Sequence, residues 1–156
     1  MIVDVHSHVW RFPEDFSEDF RRQAVGRAKA DSSLDLEVKY EAYRAGIPDG
    51  EQVTTIVFGG KAYLSGLWVD DQYVAQCVAD HPDTRLGFLS VDPTRNGWQE
   101  EMHCGHQQLG LKGIKLLPMY AGFFPQDKLL DPLWVYATKH NLPVLLHTGT
   151  NFVSQS

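Results

Sequence analysis

The chain has 156 residues, 43% hydrophobic and 22% charged, the composition of one globular domain with a sizeable core. A net charge of −6 argues against nucleic acid as the main partner, and no apolar run approaches the roughly 20 residues of a membrane span. No basic stretch followed by an apolar one opens the chain, and two cysteines, Cys77 and Cys104, make no disulfide framework, so reduced thiols in a cytoplasm are expected.

Ile2 to His6 reads as a first strand, and it runs into Asp4-Val5-His6-Ser7-His8. Side chains alternate along a strand, so His6 and His8 are expected on one face, able to grip one cation between them. Imidazole is the commonest protein ligand for zinc and its neighbours. A lone His-x-His is more often bound to nothing. Here the motif closes the first strand, and another histidine closes a much later one. Asp35 to Ala45 reads as a helix, with Leu36, Tyr40 and Tyr43 near helical spacing. Val53 to Phe58 is a β-branched strand stopped by Gly59-Gly60. Asp70 to Asp80 is a helix that Asp70 can cap, with Val74, Cys77 and Val78 on its apolar face and Pro82 beyond its end. Leu86 to Val91 is a third strand. Trp98 to Leu109 is a helix with Gly110 where a stop is expected. Lys112 to Leu117 is a fourth strand, halted at Pro118. Asp131 to His140 is a helix with Pro132 in its first turn. Pro143 to Thr148 is the fifth strand, and there are no repeats and no internal linker.

Strands alternating with helices imply parallel pairing and right-handed crossovers. Two architectures compete, an open doubly wound sheet and a (β/α)₈ TIM-type barrel. The first strand-helix turn lacks a glycine-rich phosphate loop, which weakens the open sheet as a nucleotide binder. Histidines at the C-terminal ends of two strands favour the barrel, whose active site forms at that rim. A barrel needs eight strands and typically about 250 residues. Five strands and four helices are legible here, so residues 1–156 are expected to be the N-terminal portion of one incomplete barrel domain.

In a closed barrel the tips of the first and fifth strands lie across the rim from each other. His6, His8 and His147 are therefore expected to supply three imidazoles to one metal, the usual number of protein ligands for a catalytic zinc. Asp4 is expected on the histidines' face, either orienting a ligand or sitting polar in the lower barrel. Lys115 interrupts the apolar strand Gly113-Ile114-Lys115-Leu116-Leu117 and faces inward by alternation. It is open to three roles: contact with a substrate carboxylate, carboxylation to bridge two metals, or an ion pair at the rim. Trp10 and Tyr120, with Phe12, Trp68, Phe123 and Phe124, follow strands and either line the mouth for a planar or apolar substrate or pack as lid and core. His103-Cys104-Gly105-His106 falls in a helix and reads as surface histidines. His81 and His140 sit near helix C-termini and carry no assigned chemistry.

Three segments together resemble the metal-dependent amidohydrolase superfamily: Ile2-Val-Asp-Val-His6-Ser-His8, Gly113-Ile-Lys-Leu-Leu-Pro118 and Leu142-Pro-Val-Leu-Leu-His147-Thr-Gly149. More narrowly, they resemble its amidohydrolase-related group, which includes aminocarboxymuconate-semialdehyde decarboxylase. The resemblance implies a distorted (β/α)₈ barrel in which His6, His8 and His147 bind a divalent metal, most often zinc. It implies one metal rather than two, because the lysine of the fourth strand in this group is generally not a carboxylated bridge. Many relatives carry histidine where this chain has Leu117. The family also places a histidine on its sixth strand and a metal-binding, proton-shuttling aspartate on its eighth, so the catalytic aspartate is expected beyond residue 156.

The function implied is a metal-dependent hydrolase or a decarboxylase (a carboxy-lyase) acting on a small carboxylate, lactone or amide. In a complete member the metal acidifies a bound water and polarises the substrate, and either chemistry uses the aspartate as acid or base. Two alternatives stand beside it. One is a phosphoesterase or nuclease barrel, which the few basic residues in the loops disfavour. The other is a non-catalytic truncated fragment. The expected partner is a small-molecule substrate, with neither nucleic acid nor membrane. Open sheet edges predict self-association, hence a homo-oligomer, and this fragment is expected to be inactive.

Overall fold

The structure, a computed structural model, describes residues 1–28 and 36–149. In chain order the elements are β1 (Ile2–His8), α1 (Glu18–Ala28), α2 (Tyr40–Ala45), β2 (Val53–Phe58), β3 (Lys61–Ala62), β4 (Leu67–Trp68), α3 (Asp71–Ala79), β5 (Arg85–Ser90), α4 (Trp98–His103), β6 (Ile114–Leu116), α5 (Pro118–Ala121), α6 (Asp131–His140) and β7 (Val144–Leu146). Five strands pair in parallel in the order β1-β2-β5-β6-β7. Each strand lies beside the one that precedes it in the sheet's chain order, with no reversal. A doubly wound sheet reverses at its switch point; an unreversed parallel order belongs to a barrel wall. The fold is an incomplete TIM-type barrel, curled with helices on its outside.

Register fixes which side chains face those helices. Val57 pairs with Gly87, and a Cβ at Gly87 would lie 2.5 Å from Leu111 and 2.9 Å from Val78 of α3. Glycine there lets the helix layer approach the sheet. Val57, Val74, Leu89, Leu111 and Ile114 are buried in this layer. Phe58 and Phe88 pair one residue further on and face the concave side.

The expected strands at 53–58 and 86–91 match β2 and β5 to within a residue, and the helix at 131–140 is α6. The strands expected at 112–117 and 143–148 are shorter, as β6 and β7. The helix expected over Asp35 to Ala45 is shorter: Asp35 lies outside the described residues, 36–39 are not helical, and α2 begins at Tyr40 after Lys39 in extended conformation. Asp70 stands at the N-cap of α3 in extended conformation but makes no side-chain cap hydrogen bond. The helix expected over 98–109 is α-helical to His103 and then widens, with Leu109 N–H bonding the Cys104 carbonyl five residues back. Gly110, at φ +72°, ends that segment in the left-handed region that favours glycine. α1, α5 and the β3-β4 hairpin were not expected. α1 is charged at five of its eleven positions, yet it buries Phe20 and Ala24 and is opened by the Ser17 hydroxyl, which accepts the Phe20 N–H at 3.1 Å.

Candidate metal centre

The two histidines of β1 owe their aim to a β-bulge. The register runs from Asp4 opposite Thr55 to Ser7 opposite Val57, three residues of β1 against two of β2. One extra residue resets the alternation beyond it. His8 then stands opposite Phe58, and both imidazoles lie edge-on to the Phe58 ring, at 5.2 Å for His6 and 4.7 Å for His8. Asp4 falls on the other side of the reset, which corrects the expectation that it shares the histidines' face. It takes hydrogen bonds from the His6 backbone N–H (3.0 Å), the Ser7 hydroxyl (2.7 Å) and the Tyr43 hydroxyl (3.1 Å), and Tyr43 also bonds Thr55. Asp4 therefore clamps the bulge from behind and does not touch an imidazole nitrogen.

His8 is held on three sides. Its Nδ1 lies 3.2 Å from the Gly59 carbonyl, which can only accept, so Nδ1 carries the proton and Nε2 keeps its lone pair. Trp10 stacks on the ring at 4.7 Å with an interplanar angle of 29°, and its own indole N–H donates to the Leu36 carbonyl. His147 follows β7, with its backbone N–H on the Leu116 carbonyl at 3.0 Å. Its Nε2 is buried and has no hydrogen-bond partner among the described residues. The Tyr120 ring packs edge-on to it at 5.2 Å. A cavity of about 220 Å³ opens between His8 and His147, walled by Trp10, Phe16, Phe20, Leu117 and Tyr120. A larger groove of about 620 Å³ runs past Glu14, Asp19 and Tyr63; it is lined by Trp68 but by none of the expected metal ligands, nor by Lys115, Trp10 or Tyr120.

Lys115 lies fully buried on the concave side, its Nζ 4.6 Å from the Phe58 ring and without a hydrogen-bond partner among the described residues. Burial pulls its pKa down to about 8. Burial and the Lys115 charge, with smaller contributions from His6 and His147, lower His8 to about 3 against the pull of the Gly59 carbonyl. His6 is lowered by burial, Lys115 and His147, and Asp4 only partly offsets this. Near neutral pH both β1 imidazoles are thus uncharged, the form in which histidine ligates a cation.

Lys115 carries a testable consequence. A buried ammonium without a partner costs about 1–3 kcal/mol or more. Lys115→Met is expected to raise the unfolding free energy by about that amount at pH 7. The lysine's folded pKa lies below its unfolded value, so the unfolded chain binds more protons between pH 8 and 10.5 and wild-type stability rises across that window. The gap between variant and wild type should shrink over the same range in thermal or urea unfolding. A gap that is absent, or that widens with pH, would show that the ammonium is compensated.

Do these residues fit a metal? Among the described residues no group of three or more His, Cys, Asp or Glu side chains is gathered closely enough to hold one. The donor chemistry does suit a divalent cation. Among the described residues neither His8 Nε2 nor His147 Nε2 has a hydrogen-bond partner, and a backbone carbonyl fixes the His8 tautomer in the manner usual for metal-bound histidine.

Side chains that sequence reasoning missed support this floor. Lys61 of β3 is buried between Asp71 (2.9 Å) and Glu101 (2.8 Å). Asp71 also accepts the Ser90 N–H at 2.9 Å, and the Ser90 hydroxyl joins the Lys61 N–H to the Lys115 carbonyl, each at 3.1 Å. The chain of bonds runs from hairpin to α3 to β5 to β6 and fixes the backbone that bears Lys115. The only sequence signal was a lysine directly after Gly59-Gly60 and a second aspartate at the α3 start. The expected surface histidines His103 and His106 gather with His140 around Tyr136, whose hydroxyl bonds His106 Nδ1 at 2.8 Å, away from the site.

The family profile described as amidohydrolase matches residues 3–156. An uncharacterized TIM-barrel protein from Bordetella bronchiseptica superposes with a TM-score of 0.66 at 18% identity, over 97% of this chain and 56% of that one. 4-Oxalomesaconate hydratase, LigJ, from Rhodopseudomonas palustris superposes with a TM-score of 0.53 at 17% identity, over 95% of this chain and 52% of that one. The chain thus spans about half the length of these solved structures. No curated protein matches it. No helix among the described residues is long and apolar enough to cross a membrane.

Proposed function

This chain belongs to the amidohydrolase family, and from that premise we propose that it is the histidine-bearing part of a metal-dependent barrel enzyme of the aminocarboxymuconate-semialdehyde decarboxylase-like group. The observation that carries the reading is the pair of imidazole faces at one cavity: His8, neutral with Nε2 free, and His147, with Nε2 buried and unpartnered. His6, His8 and His147 would hold the metal, zinc first among the candidates. When bound, such a metal supplies Lewis acidity and an acidified water at neutral pH.

The chain's own residues do the rest. Trp10, Phe16, Phe20 and Leu117 keep bulk water from the cavity and suit a small organic substrate with a flat or apolar body. Lys115 places an uncompensated positive charge beneath the histidines, which favours a substrate bearing a carboxylate. Tyr120 packs against His147 and lines the substrate space. The acid-base carboxylate belongs to strands that the family places after the fifth. Hydrolysis of a lactone or amide and loss of carbon dioxide from an unsaturated acid share this floor. Assays of a protein carrying the full barrel, on a lactone and on an aromatic carboxylic acid, separate the two.

Calorimetric titration of zinc into the chain and into His6→Ala, His8→Ala and His147→Ala tests the reading. Each substitution is expected to weaken binding by at least about 10–100-fold, since losing an outer-shell partner alone costs that much. Wild-type affinity should itself fall short of a complete site, because among the described residues no carboxylate joins the imidazoles. Binding curves that coincide for all four proteins would show that the histidines are not the site.

A further inference from the structure

The geometry points to Trp10 as a positioning residue that, with the Gly59 carbonyl, locks His8 in the one tautomer and orientation that present Nε2 to a cation. The inference rests on the metal-binding reading above and assigns a role to a side chain that would not itself bind the metal.

Three contacts fix the His8 ring, and each removes a different freedom. The Gly59 carbonyl at Nδ1 selects the tautomer. Phe58, T-shaped to the ring at 4.7 Å, limits its tilt. Trp10, stacked at 4.7 Å, covers one face. Without the stack the ring is free to swing about its side-chain torsions, and a swing of 180° about the last one exchanges Nδ1 and Cδ2 and breaks the Gly59 bond. Trp10 is itself anchored, by its indole N–H on the Leu36 carbonyl and by the Phe16 ring edge-on at 5.2 Å. Gly59 is equally constrained. A Cβ there would lie 2.5 Å from the Val69 Cβ, so only glycine brings this carbonyl under His8 while the segment after β4 packs alongside. His6 has no such clamp among the described contacts: it meets His8 and Phe58 only edge-on. The asymmetry makes His8 the preorganised ligand of the pair, and preorganised ligands bind tighter because less ordering accompanies binding.

The experiment uses the whole chain, as wild type, Trp10→Phe and Trp10→Leu. Phenylalanine keeps a stacking ring without the N–H; leucine keeps bulk without a ring. Long-range ¹H–¹⁵N spectra of the metal-free proteins read the His8 tautomer, and competition with a chromophoric chelator reads zinc affinity. Wild type and Trp10→Phe should show the proton on Nδ1 alone and zinc affinities within about threefold of each other. Trp10→Leu should show mixed tautomers and bind zinc about 10–100-fold more weakly, the range seen when outer-shell partners are removed. A role in stability alone would lower the melting temperature without mixing the tautomers. The inference is overturned by a proton on Nε2 in the wild type, by zinc binding in folded Trp10→Leu within threefold of wild type, or by equal losses in both variants. Should Trp10→Leu not fold, the wild-type tautomer and Trp10→Phe still decide. Should wild type bind no zinc, the metal reading fails, while the tautomer of the metal-free protein still reports on the clamp.

Discussion

Lys61→Met is expected to lower stability by about 3–5 kcal/mol, the penalty for stripping one partner from a buried ion pair. For a chain of this size that is a fall of about 6–20 °C in melting temperature. The Lys61 and Asp71 side chains are 5% and 6% exposed, while Glu101, at 38%, is wet enough to contribute little. Burial opposes the Lys61 charge, but Asp71 and Glu101 outweigh it and hold its pKa above the ordinary value. Burial pushes the Asp71 carboxyl upward, against the pull of Lys61 and the Ser90 N–H. Removing Lys61 takes away that opposition, so the Asp71 pKa in the folded variant rises further. A carboxyl whose folded pKa lies above its unfolded one stabilises at low pH and loses that stabilisation as pH rises through the folded value. The deficit of the variant relative to wild type should therefore be largest near pH 7 and shrink toward pH 4. Urea unfolding at both values measures it. A deficit under about 1 kcal/mol at pH 7 would place the pair among weak surface contacts. Because Asp71 and Ser90 also hold the Lys115 backbone, zinc affinity is expected to fall in the same variant.

Much of this architecture was legible because it is written in short-range patterns. Apolar runs of the right length, ended by Gly59-Gly60, Pro118 or Gly149, placed the five strands of the sheet, and their alternation with helices indicated a barrel wall. The orientation of Lys115 followed from the period of two along β6. The same period misplaced Asp4, because a bulge between Asp4 and Ser7 shifts the count by one and nothing local in Val5 or His6 announces it. The bulge is sustained from afar, by Tyr43 and Thr55. α1 was illegible for a different reason. Its charged residues hide the apolar stripe Phe16, Phe20 and Ala24, which only the Ser17 cap would have flagged. The Lys61, Asp71 and Ser90 network joins residues 10 to 29 positions apart, and the partners of a buried lysine cannot be read from its neighbours in sequence. For the site, sequence supplied the histidines and the aromatic residues that surround them. Which nitrogen of His8 is free, and what clamps the ring, depends on Gly59 and on Leu36, both distant in sequence.

The chain of 156 residues is expected to self-associate and to turn over no substrate. Among the described residues β1 pairs only with β2 and β7 only with β6, so both outer strands present unpaired backbone groups. Such edges pair with other chains unless blocked by charge, proline or cover. β1 has no such block along Ile2-Val3: Ile2 is 47%, Val3 51% and Val5 54% exposed, and Leu86 on the concave side is 43% exposed. In a closed barrel, layers of side chains from facing strands would fill that interior. Here Phe58 and Phe88 of that layer are buried but Leu86 and the outer face of β1 stay exposed, and a second chain would supply apolar cover for them. Size-exclusion chromatography should therefore show oligomers at micromolar concentration. Val5→Lys, which places a charge on the edge strand without touching the helix layer, should shift the profile toward monomer. Inactivity follows from a separate cause. Acid-base catalysis contributes about 10²–10⁴-fold in rate, and among the described residues no carboxylate lines the cavity. The Val5→Lys monomer should then be as inert toward a lactone or an aromatic carboxylic acid as the oligomer. A monodisperse wild-type monomer that turns over either substrate would mean that five strands make a closed and complete active site.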